Sequence, residues 1–233
     1  MLRVLGPNVM HIVLGPRMAQ GLTYNYGVDP FRIRVLGNAG FVRRIPDCGP
    51  RRQLRTIGFI GNITPAKGIY LALEAMAQAQ SQVPELRCLI AGPITDVTLR
   101  SEVEAFCHEA PERRVWLGAV QGAEKEAFFR EIDLLLFPSR YPNEALPVTI
   151  YEALSAAVPV LATPRGCVPD QLSDIGGVIS DEEYVNESVS RIVAWSSDCS
   201  AYTAVSRTAF QSFLAQLGTD QALLEALMNE VAQ

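Results

Sequence analysis

The sequence predicts an α/β fold, a Rossmann-like doubly wound parallel sheet. Three observations lead there. Short β-rich apolar runs alternate with helical patterns along most of the chain. Most of those runs are apolar throughout rather than alternating, which is how a strand covered by helices on both faces reads. The composition, 48% hydrophobic and 19% charged, excludes a disordered chain. At about 150 residues per domain, 233 residues hold one full core and part of a second.

The elements follow in order. HIVL (11–14) reads as a strand, 17–26 as a helix and IRVL (33–36) as a second strand. The Pro/Gly/Arg-rich stretch 46–55 reads as a linker. It divides a short N-terminal piece, 1–45, from a complete α/β unit, 56–217. In that unit strands are expected at 57–60, 87–91, 115–117, 134–137, 158–162 and 177–179. Helices are expected between them. Residues 67–80 place Ile69, Leu73, Met76 and Ala77 on one stripe, and 98–110 do the same with Leu99, Val103, Phe106 and Cys107. Residues 124–132 carry Phe128, Phe129 and Ile132. Residues 147–157 carry Val148, Tyr151 and Leu154, with Pro147 at the first helical position. A helix over 184–195 follows, then two C-terminal helices near 201–217 and 220–231.

Charge and cysteine content narrow the function. Twenty Lys and Arg against 25 Asp and Glu give a net charge of −5, the wrong sign for a dedicated nucleic-acid binder. The local cluster Arg43, Arg44, Arg51, Arg52 and Arg55 reads as a solvated loop. Five cysteines show no C-x-x-C pair, and only His11 and His108 are present, so no metal site is expected. Cys88 and Cys107, inside apolar-periodic segments, read as reduced buried thiols of a cytoplasmic protein. No 18-residue apolar run offers a membrane span. The apolar start is broken by Gly6, Pro7, Asn8 and His11 and lacks a cleavage site, so it does not read as a signal peptide.

An open α/β sheet binds ligands at the carboxyl ends of its strands. After strand 57–60 comes GNITPAKG (61–68). Gly61 permits a tight turn, Thr64 is a helix N-cap and Pro65 lies just inside the helix. Lys67 then falls in the first helical turn, which disfavours a cation unless an anion such as phosphate shares the place; otherwise it is a solvated lysine. The stretch is not a Walker A loop, and no G-x-G-x-x-G is present. After strand 134–137 comes PSRYPNEALPVTIYEALSAAVPVLAT (138–163). Glu144 stands just before a helix whose free N–H groups form an anion site. Glu152 lies roughly 8 Å along its axis. Such an arrangement suits a ligand with hydroxyls at both ends and phosphate in the middle, as in a nucleotide-sugar; the plainer reading is a loop charge and a surface glutamate. In TPRGCVPDQL (163–172), Gly166 either brings backbone close to a ligand or makes a plain turn.

The set G-x-x-x-P-x-K-G, E-x7-E with its P-S-R-x-x-N-E-A lead-in, and PVLAT-x-RG resembles the C-terminal, donor-binding domain of GT-B glycosyltransferases. Within these it is most similar to the retaining family 4 of the GT-1 superfamily, over about residues 10–217. The resemblance implies that Lys67 neutralises the donor diphosphate and that Glu144 contacts hydroxyls of the transferred sugar. Glu152 would accept from the ribose hydroxyls. Gly61, Asn62, Ala145, Leu146, Pro147 and Val148 would line the donor, with backbone N–H groups around 146–148 on the phosphates. The family usually has Arg where this chain has Asn62, and Arg140 is a conceivable substitute cation. Cys167 stands where a second glycine is common.

The implied reaction is sugar transfer with retention, without a bound metal or other cofactor. The resemblance makes 1–45 a remnant of the acceptor-binding domain and crossover, with 33–36 the first strand of the donor domain and 218–233 a C-terminal helix. Two rival readings stand beside a catalyst: one half of a split transferase, and a nucleotide-binding module without turnover. The expected partners are a nucleotide-sugar and an acceptor-binding domain or second chain. Peripheral membrane association is compatible with the sequence.

Overall fold

A computed structural model describes residues 9–231. The broken apolar start, residues 1–8, lies outside them.

Five parallel strands make the main sheet: β3 (Thr56–Ile60), β4 (Arg87–Ala91), β5 (Arg114–Trp116), β6 (Leu134–Phe137) and β7 (Val160–Ala162). Their order is β5-β4-β3-β6-β7. The chain runs outward from β3 to β5, then returns to the other side of β3 for β6, which makes β3/β6 the topological switch point. Every residue of β3, β6 and β7 is buried. Side chains alternate between two cores, as a strand's period of two requires. Ile57, Phe59, Leu134 and Leu136 join α2 (Ile69–Gln82), α3 (Val97–His108) and α7 (Tyr184–Ser197) on one face. Ile60, Leu135 and Phe137 join α4 (Ala123–Glu131), α5 (Val148–Ser155) and α8 (Cys199–Val231) on the other. A short helix α6 (Val168–Gln171) follows β7.

Several boundaries differ from expectation for physical reasons. Pro159 has no N–H to give, and β7 begins only at Val160. The run 177–179 forms a single parallel bridge, Ala162 to Val178, instead of a strand. β1 (His11–Val13) and β2 (Ile33–Val35) pair with each other in a separate two-stranded parallel sheet, so β2 does not open the five-stranded one. α1 (Pro16–Tyr26) connects them. The stretch 46–55 is tied down in its second half, at Arg51 and at Arg55, whose N–H donates to Asp133 Oδ2. The Arg51 guanidinium donates to the carbonyls of Phe129 and Arg130 at the end of α4, and its backbone N–H donates to Ser206 Oγ. Within the basic cluster, Arg44 also stacks over the Phe210 ring. All five cysteines are free; burial pushes the Cys88 thiol up to about 12, while Cys107 is only half-buried.

The two expected C-terminal helices are one, the 33-residue α8. Gly218 and Thr219 suggest a break in the sequence. Yet Tyr202, Ser206, Ala209, Phe213 and Asp220 form one continuous buried stripe that carries the helix past them. A Cβ built on Gly218 meets nothing within 4 Å. Gly218→Ala is therefore expected to raise the unfolding free energy by about 0.5–1 kcal/mol in urea denaturation. A loss of stability would mean that the helix is interrupted there.

Candidate functional site

Two adjoining cavities open at the carboxyl edge of the sheet. The larger, about 630 Å³, is lined by Gly61, Asn62, Lys125, Phe129, Glu152 and others. The smaller, about 230 Å³, is lined by Lys67, Glu144, Pro147 and Val148 among others. Ile60, Gly61, Asn62 and Thr149 line both, so the two are continuous around the end of β3 and the start of α5.

Lys67 reaches the smaller cavity by a local device. Thr64 caps a single 3₁₀ turn, Pro65–Lys67, by accepting from the Lys67 N–H. Lys67 therefore ends this turn and does not sit in the first turn of α2, which begins at Ile69. Between them Gly68 has φ +79°, and a Cβ there would lie 1.8 Å from the Pro138 carbonyl oxygen. Only glycine lets the β3 and β6 loops approach this closely. Lys67 Nζ is 2.7 Å from Glu144 Oε2, which also accepts from Ser139 Oγ at 2.8 Å. The ammonium lies 4.8 Å from the Tyr141 ring centroid. Ammonium and carboxylate are thus fixed side by side, one fit to meet a phosphate and the other to accept from hydroxyls.

The Glu144 loop is held from behind. Ala145 O accepts from the Cys167 N–H at 2.7 Å, and Pro147 O accepts from Gln171 Nε2 at 3.1 Å. Gly166 has φ +49°, and a Cβ there would lie 2.0 Å from Glu144 O and 2.4 Å from Ala145 O. Its close approach is to the Glu144 loop rather than to a ligand.

Pro147 is the N-cap of α5, not its first helical residue. The available N–H groups therefore begin at Val148 and Thr149, because Pro147 has none. Ala145 and Leu146 line neither cavity. On the next turn, Glu152 Oε1 accepts from Lys125 Nζ at 2.7 Å. Its Oε2 lies equally close to that ammonium, so both carboxylate oxygens face Lys125.

The structure thus gathers Gly61, Asn62, Lys67, Glu144, Pro147, Val148 and Glu152 around the two cavities. It does not bring Arg140 there: its Nε lies 3.5 Å from Asp181 Oδ2, an oxygen that Arg165 also contacts. Sequence reading missed Thr149, Lys125, Phe41 and Arg43 on the cavity walls. The threonine was legible in principle as the second residue of a helix already read as an anion site. The others come from distant segments. Among the described residues no group of three His, Cys, Asp or Glu side chains is placed to hold a metal ion. None of the helices described is long and apolar enough to cross a membrane.

Fold and site define a class first: an open α/β domain with a charged ligand cleft at its switch point. Residues 47–211 match the family described as glycosyl transferases group 1, and the chain belongs to that family. It is 28% identical over 174 residues to the D-inositol 3-phosphate glycosyltransferase of Segniliparus rotundus, covering 69% of this chain and 38% of that protein. It is 24% identical over 191 residues to the GDP-mannose:cellobiosyl-diphosphopolyprenol alpha-mannosyltransferase of Xanthomonas campestris, covering 81% and 50%. Among solved structures, Anabaena Alr3699/HepE in complex with UDP and glucose superposes with a TM-score of 0.73 at 17% identity, covering 94% of this chain and 63% of that one. S. aureus TarM superposes with a TM-score of 0.73 at 15% identity, covering 94% and 43%. These likenesses give the chain a GT-B glycosyltransferase fold. It spans half or less of the length of these two sequence relatives.

Gly166→Ala should lower the unfolding free energy by about 1–3 kcal/mol in urea denaturation, since it adds a clash to a left-handed backbone. Wild-type stability would show that the Glu144 loop is not clamped at this point.

Proposed function

We propose that the chain is the donor-binding part of a glycosyltransferase and holds a nucleoside diphosphate sugar across the two cavities. The observation that carries this is their continuity, with the Lys67–Glu144 pair at one end and Glu152 at the other. The base and ribose occupy the larger cavity. There the Glu152 carboxylate, which Lys125 holds in place, accepts from a ribose hydroxyl. The diphosphate lies against the start of α5 and Lys67. The sugar meets Glu144.

In transfer, the bond from the sugar's anomeric carbon to the diphosphate breaks and a new bond forms to an acceptor hydroxyl oxygen, whose proton passes to the departing diphosphate. Negative charge then grows on the departing diphosphate. Lys67 and the N–H groups of Val148 and Thr149 are fixed where that charge develops, so they stabilise it without rearrangement. These protein charges take the role that a metal ion plays elsewhere, and the anomeric configuration is retained. The acceptor is held by a further domain or partner chain, in keeping with the lengths of the relatives. The proposed setting is the cytoplasm, with contact to a membrane surface compatible with it.

Titration calorimetry with UDP, GDP, ADP and dTDP should show saturable binding of at least one. No heat with any of them would overturn the donor-site reading. Glu152→Ala should weaken the bound nucleotide by about 1–3 kcal/mol, and unchanged affinity would remove Glu152 from the ribose. Lys67→Ala should weaken the diphosphate about tenfold, a charged contact's worth of about 1.4 kcal/mol, yet leave the bare nucleoside unaffected. Equal effects on both would move Lys67 off the phosphates. Turnover with a simple acceptor by this chain alone would refute the need for a further domain.

A further inference from the structure

Asp220 is a carboxylate on the buried stripe of α8, 2% exposed. An apolar residue would fill such a place at lower cost, because a buried charge loses its hydration. Among the described residues it has no cationic partner within ion-pair distance. Backbone and amide groups hold it instead. The Gly37 N–H donates to Oδ1 at 3.1 Å and the Ala39 N–H to Oδ2 at 3.0 Å. Gln216 Nε2 donates to Oδ1 at 2.8 Å. A turn with N–H groups converging on one anion is a nest. With those two N–H groups turned to Asp220, Asn38 extends toward α5 and donates through Nδ2 to Leu146 O at 2.9 Å.

Leu146 directly precedes Pro147, the N-cap of α5. Phe41 and Arg43, a few residues past the nest, line the larger cavity. The nest and Asp220 both lie outside the family-matched residues, 47–211. We infer that Asp220 is a positioning residue for the donor site: through the 37–39 nest and Asn38 it fixes the start of α5. The inference rests on the nucleotide reading of that site.

The test uses the full chain, with Asp220→Asn, Asn38→Ala and the double variant. The probe is whichever of UDP, GDP, ADP and dTDP binds the wild type. Each single variant should raise the dissociation constant about tenfold. Because Asp220 acts through Asn38, the double variant should lose no more than Asn38→Ala alone. Hydrogen exchange at the amides of residues 150–152, the first hydrogen-bonded turn of α5, should quicken in both single variants, while β3 and β4 amides keep their protection. A merely structural role would instead lower protection throughout. Should Asp220→Asn fail to fold, Asn38→Ala decides the matter by the same two readings. Wild-type affinity and protection in the variants, or losses that multiply in the double variant, would overturn the inference and leave the nucleotide reading intact. If the wild type binds none of the four nucleotides, that reading falls and takes the ligand part with it. Exchange at 150–152 then still decides whether Asp220 holds the start of α5.

Discussion

Lys67 and Glu144 arrive from the ends of two strands that neighbour each other only because the chain reverses direction in the sheet. They meet 2.7 Å apart, with side chains 28% and 12% exposed. A pair this shielded recovers in attraction roughly what it loses in hydration, so stability does not account for it. Its effect is placement: opposite charges are fixed at one point beside the start of a helix. The rest of the fold follows from that need. β3 must lie next to β6, both must be buried by helices on each face, and their loops must come within backbone contact. Gly68 makes that contact possible, and Gly166, in the loop after β7, lets a third loop close on that of Glu144.

Charge at the carboxyl edge is committed in local sets. Lys67 holds Glu144, Lys125 holds Glu152, and Arg140 and Arg165 hold Asp181. A polyanion entering the cleft competes with carboxylates for these cations, so its affinity is a difference between two favourable states. The N–H groups at the start of α5 carry no such prior claim from a side chain. That gives the helix terminus more weight in the cleft than a count of basic residues suggests.

Much of the fold was legible because sheet strands buried on both faces leave unbroken apolar runs. Arg87–Ala91 and Leu134–Phe137 were read to the residue. The site was legible where a short motif carries its own geometry, as with the Thr64 cap ahead of Lys67. Local signals failed where distant packing decides. Gly218 and Thr219 look like punctuation, but the stripe from Tyr202 to Asp220 overrides them. Arg140 looked available to the cleft, and Asp181, far along the chain, draws it away. Asn38 and Lys125 belong to no spacing pattern with α5; only the folded chain brings them to it.

The nest at 37–39 and its carboxylate are 183 and 181 residues apart along the chain. At about 5–20 residues per second, a ribosome makes the turn roughly 10–40 s before it makes Asp220. During that interval the five strands and the helices up to α7 are made, but the turn's N–H groups have no anion to close on. The turn that braces the start of α5 can therefore close only once α8 has been made.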